Sequence, residues 1–152
     1  FLNRGADMEH AFKNVDVYVD NSENLIAIPH GHSKKYSMAG LDIILTLSSP
    51  YDDEQLAIFL EDAMSKCFCQ EADDNSGLSS LEKHLQIKGY SKATKSRRLV
   101  GFEWFADQGY VLMPTQKKRG FVHMEDKKIN LGHEVSKETL AAAFREAMAI
   151  SI

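Results

Sequence analysis

Two stretches decide the fold: Asp52–Met64, DDEQLAIFLEDAM, and Ser136–Met148, SKETLAAAFREAM. At a constant offset of 84, Glu54 meets Glu138, Leu56 meets Leu140, Ala57 meets Ala141, Leu60 meets Phe144, Ala63 meets Ala147 and Met64 meets Met148. The matched apolar positions fall at i, i+4, i+7 and i+8, one stripe of an amphipathic helix. Each stretch opens on a polar capping residue, Asp52 or Ser136. Each then carries a glutamate in its first turn, where the positive end of the helix dipole favours it. Both are predicted to be helices, for the same physical reasons.

The correspondence continues upstream. Leu45-Thr46-Leu47 matches Ile129-Asn130-Leu131 at the same offset, with the alternation of a strand. Leu25-Ile26-Ala27-Ile28-Pro29 matches Tyr110-Val111-Leu112-Met113-Pro114 at an offset of 85. Proline has no N–H to give to a ladder, so each run is expected to be a strand that stops there. A lysine pair follows each, Lys34-Lys35 and Lys117-Lys118. An earlier strand precedes each, Val15 to Val19 and Leu99 to Phe105. Turn-forming residues 20–24 and 106–109 join them to the next.

Between the copies, Gln70 to Arg98 holds one more predicted helix. Ser79 or Ser80 caps it, Leu81, Leu85 and Ile87 face the core, and Gly89 ends it in a left-handed backbone. Three short strands and a helix cannot bury their apolar faces alone, whereas two copies can. The reading is an α+β fold. Two diverged strand-strand-strand-helix repeats pool about six strands into one mostly antiparallel sheet with helices packed on it. Residues 1–152 are expected to form one domain, with repeat one at about 13–69, a helical connector at about 70–96 and repeat two at about 97–152.

Composition is that of an ordinary globular protein, 43% hydrophobic and 26% charged. No apolar run approaches the roughly 20 residues that cross a bilayer, and the start shows no signal-peptide pattern. Cys67 and Cys69 are two residues apart, too close for an unstrained disulfide, so both are read as free thiols in a reducing cytoplasm. The net charge of −4 hides an asymmetry: residues 1–82 carry 15 acids and five bases, a net of −10, and residues 83–152 carry +6. Such a split suggests a charged partner for one half, or solvated faces that cluster.

No constellation for catalysis emerges. His30-Gly31-His32 after Pro29 would need a third ligand, such as His123, His133 or Cys67, to hold zinc. The other histidines are scattered, so solvated loop histidines with no metal are expected. The paired carboxylates Asp52-Asp53-Glu54, Glu61-Asp62 and Asp73-Asp74 lie in polar surroundings rather than a pKa-shifting cleft. Lys83 to Arg98 holds six bases and no acid, with Tyr90 among them. It serves either as a phosphate footprint of a small nucleic-acid-binding module or as a counter-charge to the acidic half. Trp104 alternates with Phe102 and Val100 and is read as core rather than interface.

The second half, from Lys88-Gly89-Tyr90 to Ser151, resembles the immunity proteins of bacterial contact-dependent growth inhibition (CDI) systems. Its pattern is a proline-ended strand, a variable loop, a strand and an S-x-E-x-L-x-x-A-x-x-x-A helix, carried here by Pro114, Ile129, Leu131, Ser136, Glu138, Leu140, Ala143 and Ala147. Repeat one follows it more loosely through Pro29, Leu45, Leu47, Glu54, Leu56, Ala63 and Cys67. Ser151 departs from the usual cysteine or small residue at the helix tail. The resemblance implies a cytoplasmic protein without catalysis or cofactor. It would act as a monomer in a 1:1 complex with the toxic C-terminal domain of a cognate toxin, often a nuclease, with no nucleic acid or membrane of its own to bind. From charge alone, an acidic surface would imitate the polyanion that a nuclease grips and speed encounter. The residues expected to bind the toxin on that argument are Asp52, Asp53, Glu61, Asp62, Glu71, Asp73 and Asp74.

Overall fold

The two matched helices are α1, Asp53–Ser65, and the C-terminal helix, Lys137–Ile150. The computed structural model describes residues 11–152. At the start of α1, the Asp52 carboxylate accepts from the Gln55 backbone N–H at 2.8 Å, and the Gln55 side chain accepts from the Asp52 N–H at 2.8 Å. Ser136 Oγ accepts from Thr139 N–H at 3.1 Å in the second copy. Each closed cap is worth about 1 kcal/mol. The apolar stripes bury Leu56, Ala57, Leu60, Ala63 and Met64 on α1, and Leu140, Ala141, Phe144, Ala147 and Met148 on its counterpart.

Among the described residues, eight strands form one sheet. They are β1 (Phe12–Val19), β2 (Leu25–Ser33), β3 (Ser37–Gly40), β4 (Leu45–Leu47), β5 (Arg98–Phe105), β6 (Gly109–Lys117), β7 (Phe121–His123) and β8 (Ile129–Gly132). Their order is β3-β2-β1-β5-β6-β7, with β4 also paired to β2 and β8 to β6, so the second copy repeats the first about the central β1–β5 pair. Every pairing is antiparallel. Val15, Val17 and Val19 of β1, with Val100 and Phe102 of β5, meet both long helices in one fully buried cluster. Each such side chain removed from water contributes about 1.5–3 kcal/mol.

The expectation that two strands stop at proline is corrected. β2 runs through Pro29 to Ser33, and β6 through Pro114 to Lys117. The proline marks a change of partner instead. β2 pairs with β4 at Leu25–Ala27 and with β3 at His30–Ser33, while β6 pairs with β8 at Tyr110–Leu112 and with β7 at Thr115–Lys117. At the junction no ladder needs an N–H, so proline costs nothing there. Its carbonyl is still used: Pro29 O accepts from Leu41 N–H at 2.9 Å, and Pro114 O from Met124 N–H at 2.9 Å. The sheet has the expected path of six strands, β3-β2-β1-β5-β6-β7, with β4 and β8 paired off it, and the stretches read as loops hold β3 and β7.

The duplication extends past the helices. Phe68 N–H donates to His30 O at 3.1 Å, and Ile152 N–H donates to Thr115 O at 3.1 Å, matched donors on matched acceptors. Ser151, in the place of Cys67, is 1% exposed; its hydroxyl donates to Ala147 O at 2.8 Å and accepts from Thr115 N–H at 3.2 Å. Beyond Phe68 the chain crosses to the other face of the sheet. There the connector places α2 (Ser80–Leu85) and α3 (Tyr90–Ala93), so the long C-terminal helix is α4. Leu81 and Ala93 pack with Tyr18, Ile26, Ile28 and Leu99 in a second cluster.

Ser79 caps α2 in a reciprocal pair with Glu82. The expected stop at Gly89 is corrected: the left-handed residue is Gln86, φ 55°, and Ile87 is exposed. Glu82 explains it, because its backbone carbonyl accepts from Ile87 N–H at 3.1 Å and its side chain accepts from Gly89 N–H at 2.8 Å, closing the chain early.

Gly109, φ +87°, begins β6 where a Cβ would lie 2.2 Å from the backbone of Gly132. Replacing it with alanine is expected to cost about 2 kcal/mol or more, from both strain and backbone clash. Chemical denaturation should show this as a lower midpoint at unchanged slope. A midpoint within error of the parent protein would remove that contact from the account.

Candidate partner-binding site

The β2–β3 hairpin and the connector are tied together by acidic side chains. Ser33, 1% exposed, donates its hydroxyl to Asp74 Oδ1 at 2.7 Å. Asp74 Oδ2 accepts from the backbone N–H of Lys34 at 2.9 Å and of Lys35 at 3.3 Å. Asp74 thus closes the hairpin turn from outside. One residue earlier, Asp73 and Asp42 share the ammonium of Lys83, at 3.0 and 2.9 Å. Glu71 meets His32 Nδ1 at 2.9 Å. These pairs are largely exposed, where water and salt screen them.

Between hairpin and connector lies a cavity of about 360 Å³. Asp16 and Tyr18 of β1, Ile28 and His30 of β2 and Ala39 and Gly40 of β3 line it, with Asp42, Asp73 and Asp74 and the bases Lys35 and Lys83 also in the lining. Tyr36 stands at its edge, 65% exposed, with Lys35 Nζ 5.3 Å from the ring centre. The cavity is net acidic, and tyrosine is among the residue types enriched at interface hot spots.

Within the cavity Asp16 Oδ2 and His30 Nε2 are 2.9 Å apart, and Asn14 donates to the other carboxylate oxygen at 3.1 Å. Burial disfavours the charged carboxylate, but the His30 charge and the hydrogen bonds from His30 and Asn14 outweigh it and hold Asp16 below 3.8. For His30, burial is likewise outweighed by Asp16, and its pKa lies above 6.5. The histidines are therefore not solvated loop residues. Because β2 continues past Pro29, they sit on a strand, each against a carboxylate. No group of three or more His, Cys, Asp or Glu side chains that would hold a metal occurs among the described residues.

The seven acids expected from charge fall in two places. Glu71, Asp73 and Asp74 lie on the connector beside the cavity. Asp52, Asp53, Glu61 and Asp62 lie on α1, across the sheet from it. Asp52 is the cap of α1, Asp53 accepts from Arg145 Nε at 3.0 Å, and Asp62 pairs with Lys66 at 3.6 Å. Asp16, Tyr36 and Asp42 were missed by sequence reading. Only the Val-Asp-Val alternation of β1 hinted that Asp16 faces away from the helices. Of the basic stretch, Lys83 is spent on Asp42 and Asp73, and Arg98 donates to Met148 O at 2.7 Å. Trp104 packs half-buried against the helix-side core. Cys67 and Cys69 are free thiols, and burial raises the pKa of Cys67.

No family model and no curated protein matches the chain. Solved structures do. A protein of unknown function, NMB0488, from Neisseria meningitidis superposes with a TM-score of 0.69 at 13% identity, covering 93% of this chain and 96% of that one. A chain of the CdiA-CT/CdiI toxin and immunity complex from Yersinia pseudotuberculosis gives 0.66 at 13% identity, covering 93% and 98%. The chain shares their fold. No helix of the described residues is long and apolar enough to cross a membrane.

The Asp16–His30 pair sets a pH dependence. A raised histidine pKa contributes stability that is full below 6.5 and is lost as pH rises through the folded value. A lowered Asp16 pKa contributes stability that is full above 3.8 and is lost as pH falls through its folded value. The pair therefore contributes most between those two values. In Asp16→Asn only burial acts on His30, so its pKa should drop below 6.5 and the alkaline loss should disappear. Imidazole NMR and melting temperature against pH read both effects; an unchanged His30 titration would contradict the pairing.

Proposed function

We propose that this chain is an immunity protein that binds and neutralises the toxic C-terminal domain, a nuclease, of a cognate CDI toxin. The observation that carries the reading is the fold shared over nearly its whole length with a chain of the Yersinia toxin and immunity complex. The residue pattern from Pro114 to Ser151 supports it, as does the acid-rich cavity with Tyr36 at its edge. The protein acts in the cytoplasm as a monomer in a 1:1 complex, by covering the toxin rather than by chemistry of its own.

The toxin-facing surface is the hairpin–connector side, where Glu71, Asp73 and Asp74 join Asp16 and Asp42. A nuclease must attract a polyanion, and clustered carboxylates present the same sign of charge to its basic cleft. Complementary fields raise association rates towards about 10⁸ M⁻¹s⁻¹ at low salt. Tyr36 then supplies rigid contact area that needs little ordering. The carboxylates on α1, Asp52, Asp53, Glu61 and Asp62, form a separate acidic face that adds long-range attraction.

The reading expects a large secreted protein to be encoded upstream, and the test is co-expression with the C-terminal domain of that protein. Growth should be rescued, and the pair should co-purify. Tyr36→Ala should weaken binding about tenfold or more with an unchanged melting temperature. The Asp73→Lys/Asp74→Lys double variant should slow association and flatten its salt dependence. Rescue that survives both changes with unaltered affinity would move the interface elsewhere, and failure of the unmodified chain to bind or protect would overturn the reading.

A further inference from the structure

On the sheet face away from α1 and α4 the two copies differ at several matched positions, among them Asp16 against Gly101 and Tyr18 against Glu103. Tyr18 of β1 and Glu103 of β5 correspond at the strand offset of 85, and their ladder partners Ile26 and Val111 correspond likewise. In the first copy the connector covers that position: Tyr18 is 4% exposed, and its hydroxyl lies 2.6 Å from that of Tyr90. In the second copy Glu103 is 5% exposed, and among the described residues no hydrogen bond or ion pair reaches its carboxylate. Leaving a carboxylate unpaired on a central strand costs stability, which the fold tolerates here without an internal return.

Glu103 lines a cleft of about 420 Å³ between Phe12, Phe105 and Met113, with His123, Glu125 and Lys128 also around it. The Phe12 and Phe105 rings stand 4.8 Å apart, centre to centre. Burial pushes the Glu103 carboxyl up; His123 and Lys128 pull part of that back, and Glu125 and Asp16 add to it. The cleft offers the carboxylate of a residue only 5% exposed and aromatic walls, and its lining sets two carboxylates, Glu103 and Glu125, against Lys128 and His123, none of them hydrogen-bonded to Glu103.

We propose that the Glu103 cleft is an anchor site for an arginine side chain of a protein partner. A guanidinium forks onto a carboxylate through two parallel N–H donors, its plane stacks on aromatic rings, and its methylene stem lies against apolar walls. The partner's arginine takes the place that Tyr90 fills in the first copy. The proposal rests on the chain being a binder of a basic protein, and it deepens that reading by naming the group bound.

The test uses the chain without any toxin. N-acetylarginine amide is titrated into the labelled protein and followed by backbone amide and carboxyl NMR, with N-acetylcitrulline amide as the neutral isostere. Saturable shifts should appear at Phe12, Glu103, Phe105 and Met113 with the arginine compound, be about tenfold weaker or more with citrulline, and vanish in Glu103→Gln. Glu103→Gln should melt no lower than the parent at neutral pH, because burial disfavours the charged carboxylate; this shows that the variant is folded. Shifts that are equal for citrulline, that persist in Glu103→Gln, or that never saturate would overturn the proposal. A chain that binds the arginine compound but no toxin would sink the immunity reading alone. One that binds toxin but not the arginine compound would sink only the anchor.

Discussion

The antiparallel pairing of β1 with β5, from Phe12 opposite Phe105 to Val19 opposite Arg98, joins the two copies along their inner strands and makes one sheet from two halves. Each half alone offers four short strands and one helix, too little apolar area to offset the chain entropy lost on ordering them. Across this seam Val15 and Val17 of one copy lie opposite Phe102 and Val100 of the other, and α1 and α4 close over them together. The core therefore belongs to neither copy. It exists only where they meet.

The same pairing leaves the two halves of the sheet unequally covered. Both long helices lie on one face, and among the described residues the connector packs on the first copy's half of the other. Its anchors are Leu81 and Ala93 against Tyr18, Ile26 and Ile28, with Glu71 and Asp74 tying it to His32 and the hairpin turn. Next to that covered half lie the acid-rich cavity and, on the matched position of the second copy, Glu103 in its open cleft. A duplicated scaffold supplies the frame, and the two surfaces proposed for a partner lie where the copies depart from each other.

Much of this was legible in the sequence. The helix stripes at Leu56/Leu140 and Leu60/Phe144, the caps at Asp52 and Ser136 and the strand alternation around Val15–Val19 are local signals, and local periodicity reports them faithfully. The prolines misled because an N–H is dispensable at a change of ladder partner as well as at a strand end, and only the register distinguishes the two. Gly89 misled because Glu82, inside α2, accepts from both Ile87 and Gly89 and ends the helix earlier. The acids were legible as a charge total but not as places. Asp52 and Asp53 serve a cap and Arg145, whereas Asp16, invisible as a site, meets His30 once β1 and β2 pair.

Hydrogen exchange of the chain with and without a toxin domain bound tests most directly the proposal that partner recognition uses the sheet face opposite α1 and α4. Protection is expected at the β2–β3 hairpin, the connector between Glu71 and Lys83, and the strands around Glu103, with the amides of α1 unchanged. Protection confined to α1, across Asp52 to Asp62, would contradict it.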